Sequence, residues 1–201
     1  MFNHLPALLW PRFRAGLAAP PLRLDGSAGP GLRWLSCWDG RRHRGDRLLC
    51  SRPLSALLGS RTPPMAVPYA TPFQLGKYAL ELLPAGTGWG ASMLRLGFEG
   101  ATVLVAPSAR LDALPGAQPL AWREADCLIV HAPDHQSRSD VAEFAAFVAE
   151  AVERVRAGHD VTLRCVEPAV ALAAWHFVGD AVPVSAAPRL ARLARLQRMA
   201  G

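Results

Sequence analysis

Tyr78 to Arg110 reads YALELLPAGTGWGASMLRLGFEGATVLVAPSAR, and this stretch decides the class of fold. Its apolar residues form two strands joined by a glycine-rich turn, followed by a third strand that runs into a second turn. The turns, Pro84-Ala85-Gly86-Thr87 and Ala106-Pro107-Ser108, fall at strand ends, where α/β proteins keep their ligands. Neither carries the imidazole, thiolate or carboxylate that a metal requires.

The chain has 201 residues, 51% of them hydrophobic and 19% charged. That length and balance suit one domain with a sizeable core and exclude global disorder. The formal net charge is +6, and Lys77 is the only lysine. An arginine-rich chain of this kind suits nucleic acid or another acidic surface, and arginine-rich codon usage accounts for it equally well. Cys37, Cys50, Cys127 and Cys165 are far apart with no C-x-x-C pair, which argues against a disulfide framework or a structural zinc site. Cys127 and Cys165 sit in apolar runs and read as buried thiols. No stretch reaches the roughly 18 uninterrupted apolar residues of a spanning helix. The N-terminal MFNHLPALLWPRFRAG places its arginines after its apolar run, the reverse of a signal peptide. A cytoplasmic protein without a membrane partner is expected.

On either side of the opening stretch, short strands are expected at Leu22–Asp25, Leu32–Ser36 and Arg47–Ser51. A helix opened by Pro53 covers Leu54–Leu58, and a proline-rich connector runs from Thr62 to Pro72. The apolar run Ala125–Val130 reads as a strand covered on both faces. Ser139–Ala157 is the clearest helix, with Val141, Phe144, Val148, Val152 and Val155 at helical spacing, Ser139 or Asp140 as cap and Gly158 as stop. Glu150 and Arg154 are spaced for an i,i+4 pair. Beyond it, Asp160–Val166 and Val182–Ser185 read as strands, alternating with helices at Pro168–Val178 and Pro188–Met199. The class is α/β.

Several of these strings resemble the metallo-β-lactamase fold in its β-CASP nuclease form, in particular the DNA-ligase-associated exonuclease and mRNA 3′-end-processing-factor-like branch. Pro84-Ala85-Gly86-Thr87-Gly88-Trp89-Gly90-Ala91-Ser92 is similar to the family's P-A-G-H-x-x-G-S-A, with Thr87 at the place of a metal-binding histidine. Val103 to Arg110 resembles the strand ending T-G-D-F-R, with Ser108 at the place of the bridging aspartate. Leu35 to Arg42 occupies the position of the H-x-H-x-D-H motif, and there Cys37, Asp39, Arg41 and Arg42 replace its ligands. Residues 160–201 resemble the start of a β-CASP insertion, whose remainder and later histidine motif are absent. The resemblance thus implies an αββα sandwich over residues 1–201, incomplete relative to full β-CASP enzymes.

Metal-assisted phosphodiester hydrolysis needs clustered imidazoles and carboxylates to hold the cation and acidify a bound water. Hydroxyls at Thr87 and Ser108 are poor neutral donors, and arginines at 41 and 42 would repel divalent cations. The expectation is a catalytically inactive relative with no cofactor, acting as an interaction or nucleic-acid-binding subunit. Arg41, Arg42, Arg44, Arg47, Arg189, Arg192 and Arg195 are the candidate contacts to DNA or RNA. A nuclease, helicase or ligase is the candidate protein partner. The alternative is a metal-dependent hydrolase rebuilt around His131, Asp134 and His135, and zinc is expected only there. His43 reads as part of the basic loop, His159 as turn chemistry and His176 as a helix-face or core residue.

Overall fold

The structure, a computed structural model, describes residues 16–18, 21–25, 31–38, 47–58, 63–130, 141–165, 168–179, 181–186, 190–192 and 194–196. Among the described residues, ten strands form two five-stranded sheets. The first holds β1 (Gly16–Ala18), β2 (Pro21–Leu24), β3 (Leu32–Trp34), β4 (Arg47–Ser51) and β5 (Met65–Val67) in that spatial order. Its first pair is antiparallel and the rest are parallel. The second runs β10-β9-β8-β7-β6, built from β6 (Phe73–Leu75), β7 (Tyr78–Pro84), β8 (Ser92–Phe98), β9 (Ala101–Ala106) and β10 (Cys127–Val130). It is antiparallel except for the β9–β10 pair. With α1 (Arg52–Leu58), α2 (Val141–Arg156) and α3 (Pro168–Val178), this is the mixed α/β class expected from the sequence.

Alternation along β7, β8 and β9 turns Leu80, Leu82, Leu94, Leu96, Val103 and Val105 toward Leu22, Trp34, Leu49 and Val67 of the first sheet. Those side chains form the core between the sheets, and removing them from water is the main driving force for stacking them. On the opposite faces, Leu83, Met93, Leu104 and Ala106 form a second cluster, which Leu120 and Ala125 of the β9–β10 crossover help to cover. That is why these strands read as nearly continuous apolar runs. The β8–β9 hairpin closes through Glu99 and Gly100, with φ of 49° and 82°, the pair of positive values that a type I′ turn needs.

Helix α1 packs on the outer side of the first sheet, where Leu54, Leu57 and Cys50 meet Leu172 of α3 and Ala194. Residues 190–192 and 194–196 are helical, within the expected C-terminal helix. Helix α2 packs on α3 through Val148, Val152, Ala174 and Val178, and Phe144 meets Phe177 edge-on with centroids 5.7 Å apart. Arg154 and Glu150 make the expected i,i+4 pair at 2.8 Å on the exposed face. No helix among the described residues is long and apolar enough to cross a membrane.

The structure departs from the sequence expectations in four places. The connector from 62 to 72 contains β5, and the three-residue β6 begins just after it. Residues 161–165 and 182–186 are not strands: Leu163 and Val182 pack onto the α2–α3 cluster, and no neighbouring strand among the described residues pairs with either segment. The alternating strand–helix pattern of the C-terminal half is therefore not formed there. Strand β10 is an edge strand with one open face, Leu128 and Val130 being 45% and 50% exposed. Finally, Cys127 and Cys165 are only half-buried, and the enclosed thiol is that of Cys50.

Gly90 sets the closest approach between the second sheet and α1. Its φ is +84°, and a Cβ there would lie 2.7 Å from Leu54 N and 2.8 Å from Leu54 Cα. Gly100 has a similar φ of +82° but opens onto free space. Gly90→Ala is expected to lower unfolding free energy by about 3 kcal/mol, through strain and overpacking together, and Gly100→Ala by about 1 kcal/mol through strain alone. Urea denaturation of the two variants measures the difference.

Candidate functional site

The glycine-rich turn after β7 and the turn after β9 lie side by side at one end of the second sheet. Arg110 N–H donates to Ala85 O at 2.9 Å, Leu114 N–H to Gly86 O at 2.9 Å and Ala121 N–H to Pro84 O at 3.2 Å. Gly86, with φ +75°, has no room for a side chain because a Cβ would strike the Arg110 carbonyl oxygen. Gly88 is equally confined by α3, a Cβ there lying 2.7 Å from Ala169 Cβ.

This packing brings Thr87 and Ser108 together, with Oγ1 and Oγ 3.3 Å apart and both residues half-buried. Cys37 packs against the same apolar cluster as Ala85, Ala91 and Ala106, so three of the sequence-predicted positions converge on this end of the sheets. Asp39, Arg41, Arg42 and Arg44 lie outside the described residues, as do His131, Asp134, His135 and Arg189. Arg47, Arg192 and Arg195 are exposed. Trp38, which leads into the basic loop, packs with Leu190 and Leu196 on the α1 side of the first sheet. His159 and His176 are also exposed, the latter on the face of α3.

Two hydroxyls sharing a hydrogen bond do not fit a divalent cation. They are neutral, they bring no lone charge, and neither is held by a carboxylate that would strengthen it as a donor. Among the described residues, no group of three or more His, Cys, Asp or Glu side chains could hold a metal.

The residues that the sequence reading missed are those that hold this end in place. The Ser51 hydroxyl donates to Gly90 O at 2.6 Å and accepts from Leu54 N–H at 3.2 Å, capping α1 while tying it to the turn. Ser92 N–H donates to Ser36 O at 2.7 Å, and Trp34 Nε1–H to Ser92 Oγ at 3.2 Å. The Tyr69 hydroxyl donates to Ala91 O at 2.8 Å. A serine just before Arg52-Pro53 is a recognisable helix cap, but the bonds between the sheets have no sequence signature. Burial raises the Cys50 thiol from 9.0 to about 12. It also raises the Tyr69 phenol from 10.0 to about 12, against a smaller downward effect of the Ser51 hydrogen bond.

No family profile and no curated protein matches the chain. Among solved structures, a protein of unknown function from Enterococcus faecalis V583 superposes with a TM-score of 0.53 at 13% identity, over 85% of this chain and 50% of that one. The chain thus spans half the length of that protein. A metallo-β-lactamase with a HARLDQ motif from Cronobacter sakazakii matches at a TM-score of 0.32 and 14% identity, over 84% of this chain and 66% of its own. Its S60 mutant matches at 0.31 and 15%, over 84% and 70%. At 13% identity the likeness to the Enterococcus protein is one of fold alone.

Ser51→Ala removes a helix cap and leaves the Gly90 carbonyl without its buried donor. It is expected to cost roughly 2–4 kcal/mol in a urea titration. Both raised acids are neutral when protonated, so the unfolded chain loses their protons first as pH rises. Their stabilising contribution is complete below about pH 9 and is lost as pH climbs toward 12. Urea midpoints are expected to fall across that interval, and less steeply above pH 10 in Tyr69→Phe.

Proposed function

We propose that the chain is a non-catalytic, metallo-β-lactamase-like protein of β-CASP type that binds nucleic acid as a subunit beside an active enzyme. The observation that carries this reading is the Thr87–Ser108 hydroxyl pair. At the strand-end corner where the resembling family holds its cations, two neutral side chains bond to each other at 3.3 Å. A hydrolase of that type needs charged ligands there to acidify water. Arginine supports the binding role: Arg192 and Arg195 are exposed on a segment whose Leu190 and Leu196 share an apolar cluster with Trp38, and in the sequence Trp38 is followed by the arginine-rich stretch 41–47. Arginines grouped in this way suit a phosphate backbone rather than individual bases. The resemblance of residues 160–201 to the start of a β-CASP region favours a nuclease, helicase or ligase as the protein partner, by analogy of fold.

The test combines metal content with salt dependence. Purified protein that has not met a chelator is expected to carry no near-stoichiometric zinc or manganese. Affinity for a short DNA or RNA duplex is expected to fall steeply between 50 and 200 mM salt, on the order of what several phosphate contacts produce. Arg41→Ala, Arg42→Ala and Arg44→Ala together are expected to reduce the logarithmic salt slope by about three. Stoichiometric metal overturns the reading, as does metal-dependent cleavage abolished by His135→Ala.

A further inference from the structure

We infer that the cavity beside the α2–α3 pair is a docking slot for an extended, uncharged peptide segment of a partner protein, which adds as a strand to residues 161–165 and 182–186. This deepens the preceding reading and rests on it only for the partner being a protein. The cavity measures about 420 Å³, within the usual range of ligand sites. Both helices line it, through residues that include Ala151, Val152, Ala174 and Val178, and so do the segments 161–165 and 182–186. Leu163 and Val182 hold those two segments on the same cluster of α2 and α3 side chains.

The backbone decides the kind of occupant. Neither segment is helical or paired in a sheet, and no amide or carbonyl of either has a hydrogen-bond partner among the described residues. Donors and acceptors are open alike, and a strand is the ligand that supplies both. Burial along 161–165 already alternates, with Val161, Leu163 and Cys165 half-buried and Thr162 and Arg164 exposed. Five residues make an ordinary strand, and this one lacks a neighbour. A hydrocarbon ligand would cover the same apolar wall, but it would take water from these amides and carbonyls and return no hydrogen bond. Pro183 has no N–H, so pairing on the second segment runs through Val182, Val184 and Ala186.

Charge narrows the choice further. The lining contains no Asp, Glu, Lys, Arg or His, and Arg164 is the one residue of the two segments that stays out of it. A charged side chain entering there would lose its hydration and meet no counter-ion. The inward face of the added strand is therefore apolar at every second position, and its alternate side chains face solvent. Main-chain bonds supply the affinity and the cavity supplies the selection, as in other strand additions.

The experiment titrates the full chain with an end-blocked hexapeptide of alternating valine and threonine, read by amide-resolved NMR. Saturable shifts are expected at the amides of 161–165, Val184, Ser185 and Ala186, with slowed hydrogen exchange at those that pair. Two further peptides, N-methylated at every valine or at every threonine, keep the side chains and lose the donors of one edge. At least one of them is expected to bind about tenfold or more weakly. Val184→Arg, at a side chain 42% exposed, places a charge at the slot and is expected to weaken binding by a similar factor. The uncharged Val184→Thr is expected to bind like the parent chain. Absent shifts, or equal binding of all three peptides, overturn the inference. So does 1-dodecanol binding at these amides more tightly than the peptide, which assigns the cavity to a hydrocarbon, and so does self-association that the peptide dissociates, which assigns it to a second copy. These failures leave the non-catalytic reading standing, whereas stoichiometric zinc with peptide binding intact overturns that reading alone.

Discussion

The contact on which the rest depends is the seating of Gly90 against the start of α1. The space between the two sheets is filled by apolar side chains, which attract without direction and would tolerate sliding. Direction comes from the polar bonds at one end, where Ser51, Ser36, Trp34 and Tyr69 from the first sheet and its flanks all engage residues 90–92 of the second. These groups are largely buried, so each missing bond would carry the full cost of an unsatisfied polar group, and the register between the sheets is fixed by that penalty. Only glycine at 90 lets the backbone come close enough for the Ser51 hydroxyl to reach its carbonyl.

Once that end is fixed, its neighbours follow. The turn from 84 to 91 cannot swing outward, so its carbonyls meet the amides of the crossover that follows β9, and Thr87 is carried to Ser108. Helix α3 closes the other side, with Ala169 against Gly88. At the far edge the crossover ends in a second local device. The Asp126 carboxylate accepts from Thr102 N–H at 2.7 Å and from its hydroxyl at 2.9 Å, which starts β10 in register with β9. Those bonds, the backbone one first, hold the carboxyl below its ordinary range.

How far this was legible in the sequence depends on where the decisive partners lie. Strands β7 to β9 were readable because alternation and the Glu99-Gly100 turn are local, and α2 and α3 because Gly158 and Pro168 punctuate a helical period. Strands β1, β5 and β6 are three residues each and owe their existence to a neighbour, so they carried no signal of their own. Residues 161–165 show the converse error: Val161, Leu163 and Cys165 alternate as a strand should, but alternation describes one buried face and says nothing about a hydrogen-bonding partner. The same limit explains β10. A run of apolar residues was read as covered on both faces, whereas among the described residues it pairs on one side only and leaves Leu128 and Val130 half in solvent. The juxtaposition of Thr87 and Ser108 was legible only through the matched family strings, since 21 residues separate them.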